Sequence, residues 1–301
     1  MAVRSGSTRF ETDFETFPDG ERLARFRDVD AFASHVRTHR TDELWLALPL
    51  THQPTLLRFL DLFRHDLIDI RLIPDLSGLA RFRGDVPGLE STFAINLVGM
   101  QLTARARAIK TLFDRVFAAC AVVMLAPLLL GIAIAVKCSS PGPVLFRQSR
   151  RGTNGQPFEI LKFRTMRVHS VDEGVLIQAT RGDARITRVG AFLRRTSLGE
   201  LPQFFNVLRG DMSVVGPRPH AIEYDAFYQD IVDDYIHRYR IKPGITGWAQ
   251  VNGLRGETDS VEKMQQRVEH DLYYLSNWSF TFDLRIVLAT VARGLIHSNA
   301  Y

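Results

Sequence analysis

The sequence predicts an α/β protein with one membrane segment. Three observations predict it. A strand–helix–strand pattern occupies the first hundred residues, an uncharged apolar run lies near the middle, and a hairpin followed by helical stretches fills the rest. With 301 residues and 46% of them hydrophobic, the chain holds one large domain or two smaller ones and is not disordered.

The elements follow in order. The run VDAFASHVRTHR (29–40) reads as a helix. Residues 43–50 (ELWLALPL) and 68–75 (IDIRLIPD) are short apolar runs with strand character. Residues 53–66 carry Leu and Phe at helical spacing between them. That is a β-α-β unit of a parallel sheet. The region has no GxGxxG fingerprint, no convincing first strand and no Gly-rich turn, so it reads as the later part of a nucleotide-fold domain.

A mixed segment (90–101) and a basic stretch (104–110) lead to residues 116–136, VFAACAVVMLAPLLLGIAIAV. The run has no charge and about enough residues to cross the hydrocarbon core as a helix. The bland alternative is a buried helix of a soluble protein. Pro127 lies mid-run, where it removes a backbone hydrogen bond and bends a helix. Both flanks are basic, with Lys110 and Arg115 before and Lys137, Arg147, Arg150 and Arg151 after. The positive-inside rule therefore draws both ends to the cytoplasm. A helix that enters, breaks at Pro127 and returns satisfies both facts, and so the sequence leaves re-entrant and spanning topologies open.

Two alternating runs flanking Thr153-Asn154-Gly155 read as a hairpin. Residues 168–183 read as a loop or lid. Residues 184–219 show helical spacing up to Gly216-Pro217-Arg218-Pro219. Near the end, Trp278, Phe280 and Phe282 suit a helix at headgroup level, or one packed on the core.

The charge balance is mildly basic, 38 Lys+Arg against 33 Asp+Glu. It suits phosphates, anionic lipid or nucleic acid without choosing between them. No nucleic-acid module is present, so nucleic acid is not an expected partner. The two cysteines have no CxxC spacing, which points to a reducing compartment. The opening residues lack an apolar core, so no secretory signal is expected. No P-loop, GxSxG motif or zinc-spaced histidines occur.

Basic residues gather in the second half. Lys162 and Arg164 alternate on one strand and share a face. Arg194 precedes Glu200, and Arg218 sits in a Pro-fixed turn. Arginines on rigid elements suit bidentate phosphate recognition; the bland alternative is a solvated basic face. Asp183, Glu200, Asp211 and Asp271 are carboxylates able to hold a hard cation, and Mg²⁺ needs only one or two when phosphates supply the rest.

KFRTM (162–166), TSLGELPQFFNVLRGDMSVVGPRPH (196–220), KPGITGWAQVNGLRGET (242–258) and VEHDLYYLSNWS (268–279) resemble the bacterial sugar transferases, the monotopic polyprenyl-phosphate sugar-1-phosphate transferases. The resemblance covers about 110–301. It points to enzymes that load glucose-1-phosphate from UDP-glucose onto undecaprenyl phosphate in exopolysaccharide synthesis.

The resemblance implies a small membrane-associated α/β transferase core (110–301) with a re-entrant helix (116–136) broken at Pro127 and interfacial amphipathic helices. A partial nucleotide-fold domain (1–101) precedes the core, as in a shortened member of the family. The implied partners are a UDP-sugar, undecaprenyl phosphate and the cytoplasmic face of the bacterial inner membrane, with Mg²⁺ as cofactor. Self-association stays open.

Lys162, Arg164, Arg194 and Arg218 match phosphate-binding positions, and Asp271 an acidic position. Glu200 matches the second carboxylate of an Asp-Glu pair that works as nucleophile and metal ligand. The first, nucleophilic position is Gly199 here, which has no side chain to attack with. Three expectations compete: a transferase using Glu200, a relative that binds without turnover, and a membrane-anchored nucleotide-binding regulator.

Overall fold

The structure, a computed structural model, describes residues 2–4, 15–16, 22–23, 29–39, 41–49, 53–75, 94–99, 102–167, 183–256 and 260–294. The chain divides into two compact units, Met1–Met100 and Gln101–Tyr301.

In the first unit the elements run β1 (Ala2–Arg4), β2 (Glu15–Thr16), β3 (Arg22–Leu23), α1 (Val29–Thr38), β4 (Glu43–Pro49), α2 (Gln53–Leu62), β5 (Asp69–Asp75) and β6 (Ile95–Val98). β4 and β5 pair in parallel across the α2 connection, from Glu43 opposite Asp69 to Pro49 opposite Asp75. This is the strand–helix–strand unit that the apolar spacing predicts. β1 and β6 are added antiparallel at the two edges. The three-residue β1 is too short to carry a periodic signal. Phe32 and Val36 of α1, Leu44 and Leu46 of β4, and Phe59 of α2 close the core over the sheet.

The second unit begins with α3 (Ala104–Ser139), 36 residues long. Thr103 caps it, its side chain accepting from the Ala106 N–H at 3.2 Å. The helix is therefore longer than the apolar run, and the basic stretch forms its first turns. It is long and apolar enough to cross a membrane, and only 11% of its most apolar window is buried by protein. Lys110, Asp114 and Ala118 near one end and Ile132 and Val136 near the other are buried in the unit. Between them Val123 and Met124 are 74% and 80% exposed. The helical pattern continues through Pro127 without interruption.

β7 (Leu145–Arg151) and β8 (Pro157–Phe163) form the expected antiparallel hairpin. Its turn is Thr153–Gly155, with Asn154 and Gly155 at φ 54° and 69°. The loop or lid expected at 168–183 lies, apart from Asp183, outside the described residues. The stretch 184–219 departs from its helical spacing. It forms α4 (Arg188–Thr196), a 3-10 turn (Leu198–Glu200), α5 (Gln203–Arg209) and then β9 (Ser213–Val215). Ser197 at φ 59° ends α4, and Gly210 at φ 95° ends α5, so two left-handed residues cut one helix into pieces.

α6 (Ile222–Gln229) and a 3-10 helix (Tyr235–Arg240) follow. β10 (Gly244–Thr246) pairs in parallel with β9, and α7 (Trp248–Val251), α8 (Val261–Ser276) and α9 (Phe280–Gly294) complete the unit. A Cβ on Gly244 would stand 2.1 Å from the Gly216 nitrogen, so this pairing requires a glycine there.

The three aromatics expected at headgroup level divide. Trp278 turns inward, its indole N–H donating to Asp283 at 3.2 Å. Phe282 packs in the core cluster with Trp248 and Tyr274. The exposed apolar side chains of α9 are Phe280, Leu284, Leu288 and Val291.

Candidate active site

Glu200 stands where three pieces of chain converge. The 3-10 turn that carries it is trapped between Ser197, which stops α4, and Pro202, which opens α5. α4 lies close against the chain leaving β8: a Cβ on Gly190 would meet the Thr165 carbonyl oxygen at 1.9 Å. This close approach brings Lys162 of β8 within reach, and its Nζ donates to Glu200 Oε1 at 3.0 Å. Arg218, in the turn after β9, grips the same carboxylate with both arms, NH2 to Oε1 at 2.6 Å and NH1 to Oε2 at 3.2 Å. Such a fork is the strong geometry for a guanidinium and a carboxylate.

Burial works against ionisation of Glu200, but Arg218 and then Lys162 outweigh it and hold the carboxyl well below its usual range. The pair shifts unevenly. Burial, with Arg218 and Arg150 adding to it, lowers the Lys162 pKa more than Glu200 raises it.

Beside Glu200 opens a cavity of about 210 Å³, lined among others by Ser197, Leu201, Phe204, Val251 and Arg255. Arg255 NH2 donates to Ser197 Oγ at 2.7 Å. Phe204 in turn lies against Phe117 of α3, ring centroids 6.3 Å apart. The cavity thus has a charged wall and an apolar wall that abuts the membrane-length helix.

The residues singled out in the sequence are not all brought together. Lys162, Arg218 and Glu200 are. Arg164 is buried elsewhere: NH1 donates to the Pro141 carbonyl at 2.7 Å and NH2 to the Ser140 carbonyl at 2.7 Å, which ties down the end of α3. Its guanidinium is thus spent on the carbonyls after α3 and not on Glu200. Arg194 reaches Thr165 Oγ1 at 3.0 Å and Met166 Sδ at 3.2 Å, beside the chain leaving β8. Asp271, 3% exposed, pairs with Arg238 at 2.8 Å.

Three arginines are not picked out as site residues from the sequence, although Arg150 is named as a flank of the apolar run. Arg255 lies inside a quoted motif and its type alone marks it. Arg150 donates to the Pro219 carbonyl at 3.2 Å, and Arg238 to the Arg218 carbonyl at 2.7 Å. Those last two contacts span 69 and 20 residues, and no local pattern announces them.

Among the described residues lining the cavity Glu200 is the one carboxylate, so substrate phosphates would have to supply the rest of a Mg²⁺ shell there. Both carboxylate oxygens are engaged by Arg218 and Lys162. Among the described residues no group of three or more His, Cys, Asp or Glu side chains is gathered.

Residues 105–297 match the family described as bacterial sugar transferase, and residues 10–74 match one described as a CoA-binding domain. The UDP-glucose:undecaprenyl-phosphate glucose-1-phosphate transferase of Xanthomonas campestris pv. campestris is 43% identical over 98% of this chain and 62% of its own length. The protein of the same name from Escherichia coli (strain K12) is 47% identical over 79% of this chain and 52% of its own. The UDP-N-acetylgalactosamine-undecaprenyl-phosphate N-acetylgalactosaminephosphotransferase of Aeromonas hydrophila is 41% identical over 61% of this chain and 43% of its own. The chain thus spans between about half and three fifths of the first two relatives.

Proposed function

The chain belongs to the bacterial sugar transferase family, and from that premise we propose that it transfers a sugar-1-phosphate, glucose-1-phosphate in our reading, from a UDP-sugar to undecaprenyl phosphate and releases UMP. The observation that carries this is the Lys162–Glu200–Arg218 cluster beside a cavity that Arg255 also lines. Three cations against one carboxylate leave a net positive site, which suits a diphosphate.

In the transfer an oxygen of the lipid phosphate bonds to the sugar-bearing phosphorus. The bond from that phosphorus to the bridging oxygen breaks, and UMP leaves with that oxygen. Arg218, Lys162 and Arg255 take up the charge that develops on the phosphoryl oxygens and the leaving group. Gly199 offers no nucleophile, and both Glu200 oxygens are held by cations. The acceptor phosphate is therefore the attacking group in this reading, and Glu200 sets the cations in place.

α3 supplies the membrane contact. Both its ends pack on the second unit, while Val123, Met124, Leu128 and Leu130 between them are exposed. β8 contributes Ile160 to the cluster that holds Ala118 and Phe163 to the one that holds Ile132 and Val136. Pro127 in the middle of the apolar run and basic residues on both flanks support a helix that bends near Pro127 and returns to the cytoplasmic face of the bacterial inner membrane. In the first unit, the parallel β4–α2–β5 arrangement supports a partial nucleotide fold.

The named relatives differ in sugar, so specificity is tested together with activity. The full chain in nanodiscs is given undecaprenyl phosphate and either UDP-glucose or UDP-N-acetylgalactosamine, with and without Mg²⁺, and UMP is measured. UMP and lipid-linked glucose are expected from UDP-glucose. Binding of UDP-glucose with no UMP under any condition would sink the transferase reading and leave a binding protein.

A further inference from the structure

The turn Gly216-Pro217-Arg218-Pro219 has a problem built into its sequence. Two of its four residues are prolines and lack an N–H. It therefore has few amides with which to hold its own shape, yet it must aim Arg218 at Glu200. Its carbonyls are held from outside instead. Gly244 N–H donates to Pro217 at 2.9 Å, Arg238 NH2 to Arg218 at 2.7 Å and Arg150 NH1 to Pro219 at 3.2 Å.

Of these three donors Arg238 is the most deeply engaged. It is 3% exposed, and the same NH2 that holds the Arg218 carbonyl also pairs with Asp271 of α8 at 2.8 Å. NH1 lies 2.7 Å from His220 Nδ1. The same His220 Nδ1 lies 2.8 Å from the Tyr235 hydroxyl, which donates to Asp225 at 2.6 Å, so the ring is held from two sides. Asp271 and His220 thus fix the guanidinium plane, and that plane fixes the turn.

We propose that Arg238, oriented by Asp271, is a positioning residue for Arg218: it touches no substrate and acts by fixing the backbone from which Arg218 reaches the Glu200 carboxylate. This gives Asp271 a role two contacts away from the site instead of a place in it. The inference rests on the reading of Arg218 as a phosphate-binding cation, and the test separates the two.

The full chain in nanodiscs is compared with Arg238→Lys, Arg238→Gln, Asp271→Asn, Arg218→Gln and the double variant Arg218→Gln/Arg238→Gln. UMP release is resolved into kcat and KM, UDP binding is titrated, and amide exchange is followed in the peptide spanning 213–221. Arg238→Gln is expected to lower kcat/KM about tenfold or more, with Arg238→Lys retaining part of the activity. The double variant is expected to be no worse than Arg218→Gln, because residues acting as a unit are non-additive. Losses that multiply in the double variant, or full activity in Arg238→Gln, overturn the proposal.

If the unaltered chain releases no UMP, the transferase reading fails, and the same cycle is read on UDP binding. Exchange needs no ligand: Arg238→Gln should speed the amides of Arg218 and His220 while α9 stays protected. Unchanged exchange there overturns the positioning role whatever the function proves to be.

Discussion

At Glu200, the cost of burying a carboxylate is met by a forked arginine and a lysine, and the balance of those effects sets what substitutions do. The folded pKa lies well below the ordinary 4.5. A depressed carboxylate stabilises the fold fully above the unfolded pKa and loses that contribution as pH falls through the folded one. Glu200→Gln should therefore destabilise the protein near pH 7 by about 1–3 kcal/mol. This is less than the ~3–5 kcal/mol of a fully buried pair, because the partners keep some solvent. Thermal melts of the two proteins should converge as pH drops below 4.5; a constant gap would contradict the ion-pair account.

Gly199 is the neighbouring test. Its φ is not left-handed, and a Cβ there would meet its nearest atoms at 3.7 Å, ordinary contact distance. Gly199→Asp should fold, and it should release up to one UMP per chain in the absence of lipid acceptor, through a phospho-sugar adduct visible by intact mass. The unaltered chain should release none without acceptor.

At the scale of elements, α3 is fastened at its first turns by a buried polar knot. Lys110 Nζ donates to Asp283 at 2.7 Å and to the Val215 carbonyl at 3.0 Å. Tyr274 and Trp278 add donors to the same Asp283. Phe113 and Phe280 stack edge-to-face beside it, centroids 5.3 Å apart. Lys110→Met leaves the buried Asp283 without its cation and should cost about 3 kcal/mol, read as a lowered denaturation midpoint.

The proposed return of α3 near Pro127 makes a separate prediction about topology. Single cysteines placed at Arg105 and at Lys137, in a chain with Cys120 and Cys138 replaced by Ser, should both be labelled from the cytoplasmic side of membrane vesicles. Labelling from opposite sides would mean a spanning helix.

At the scale of the molecule, the two units have separate cores, one around Phe32, Leu44 and Phe59 and one around Val207, Val214 and Tyr274. Every residue of the candidate site belongs to the second. Residues 101–301 alone should therefore retain UMP release within about threefold of the full chain when assayed in nanodiscs. Loss of folding or of activity would show that the first unit is needed by the second.

Patterns confined to a few neighbouring residues were legible from the sequence. The apolar spacing of 53–66 between two strand-like runs sufficed for the β4–α2–β5 unit, and Asn154-Gly155 for the hairpin. The uncharged run around Pro127 marked the membrane-length helix. Glu200, Lys162 and Arg218 could be named because motif and residue type mark them. Tertiary structure decided what those side chains do. Only folding could show that Arg164 turns to the end of α3, that Asp271 faces Arg238, and that 213–215 leaves a helical pattern to pair with 244–246. The physical reason is range: periodicity and turn chemistry act over one or two turns of chain, whereas a buried charge takes whichever partner the packing brings, here 18 to 173 residues away.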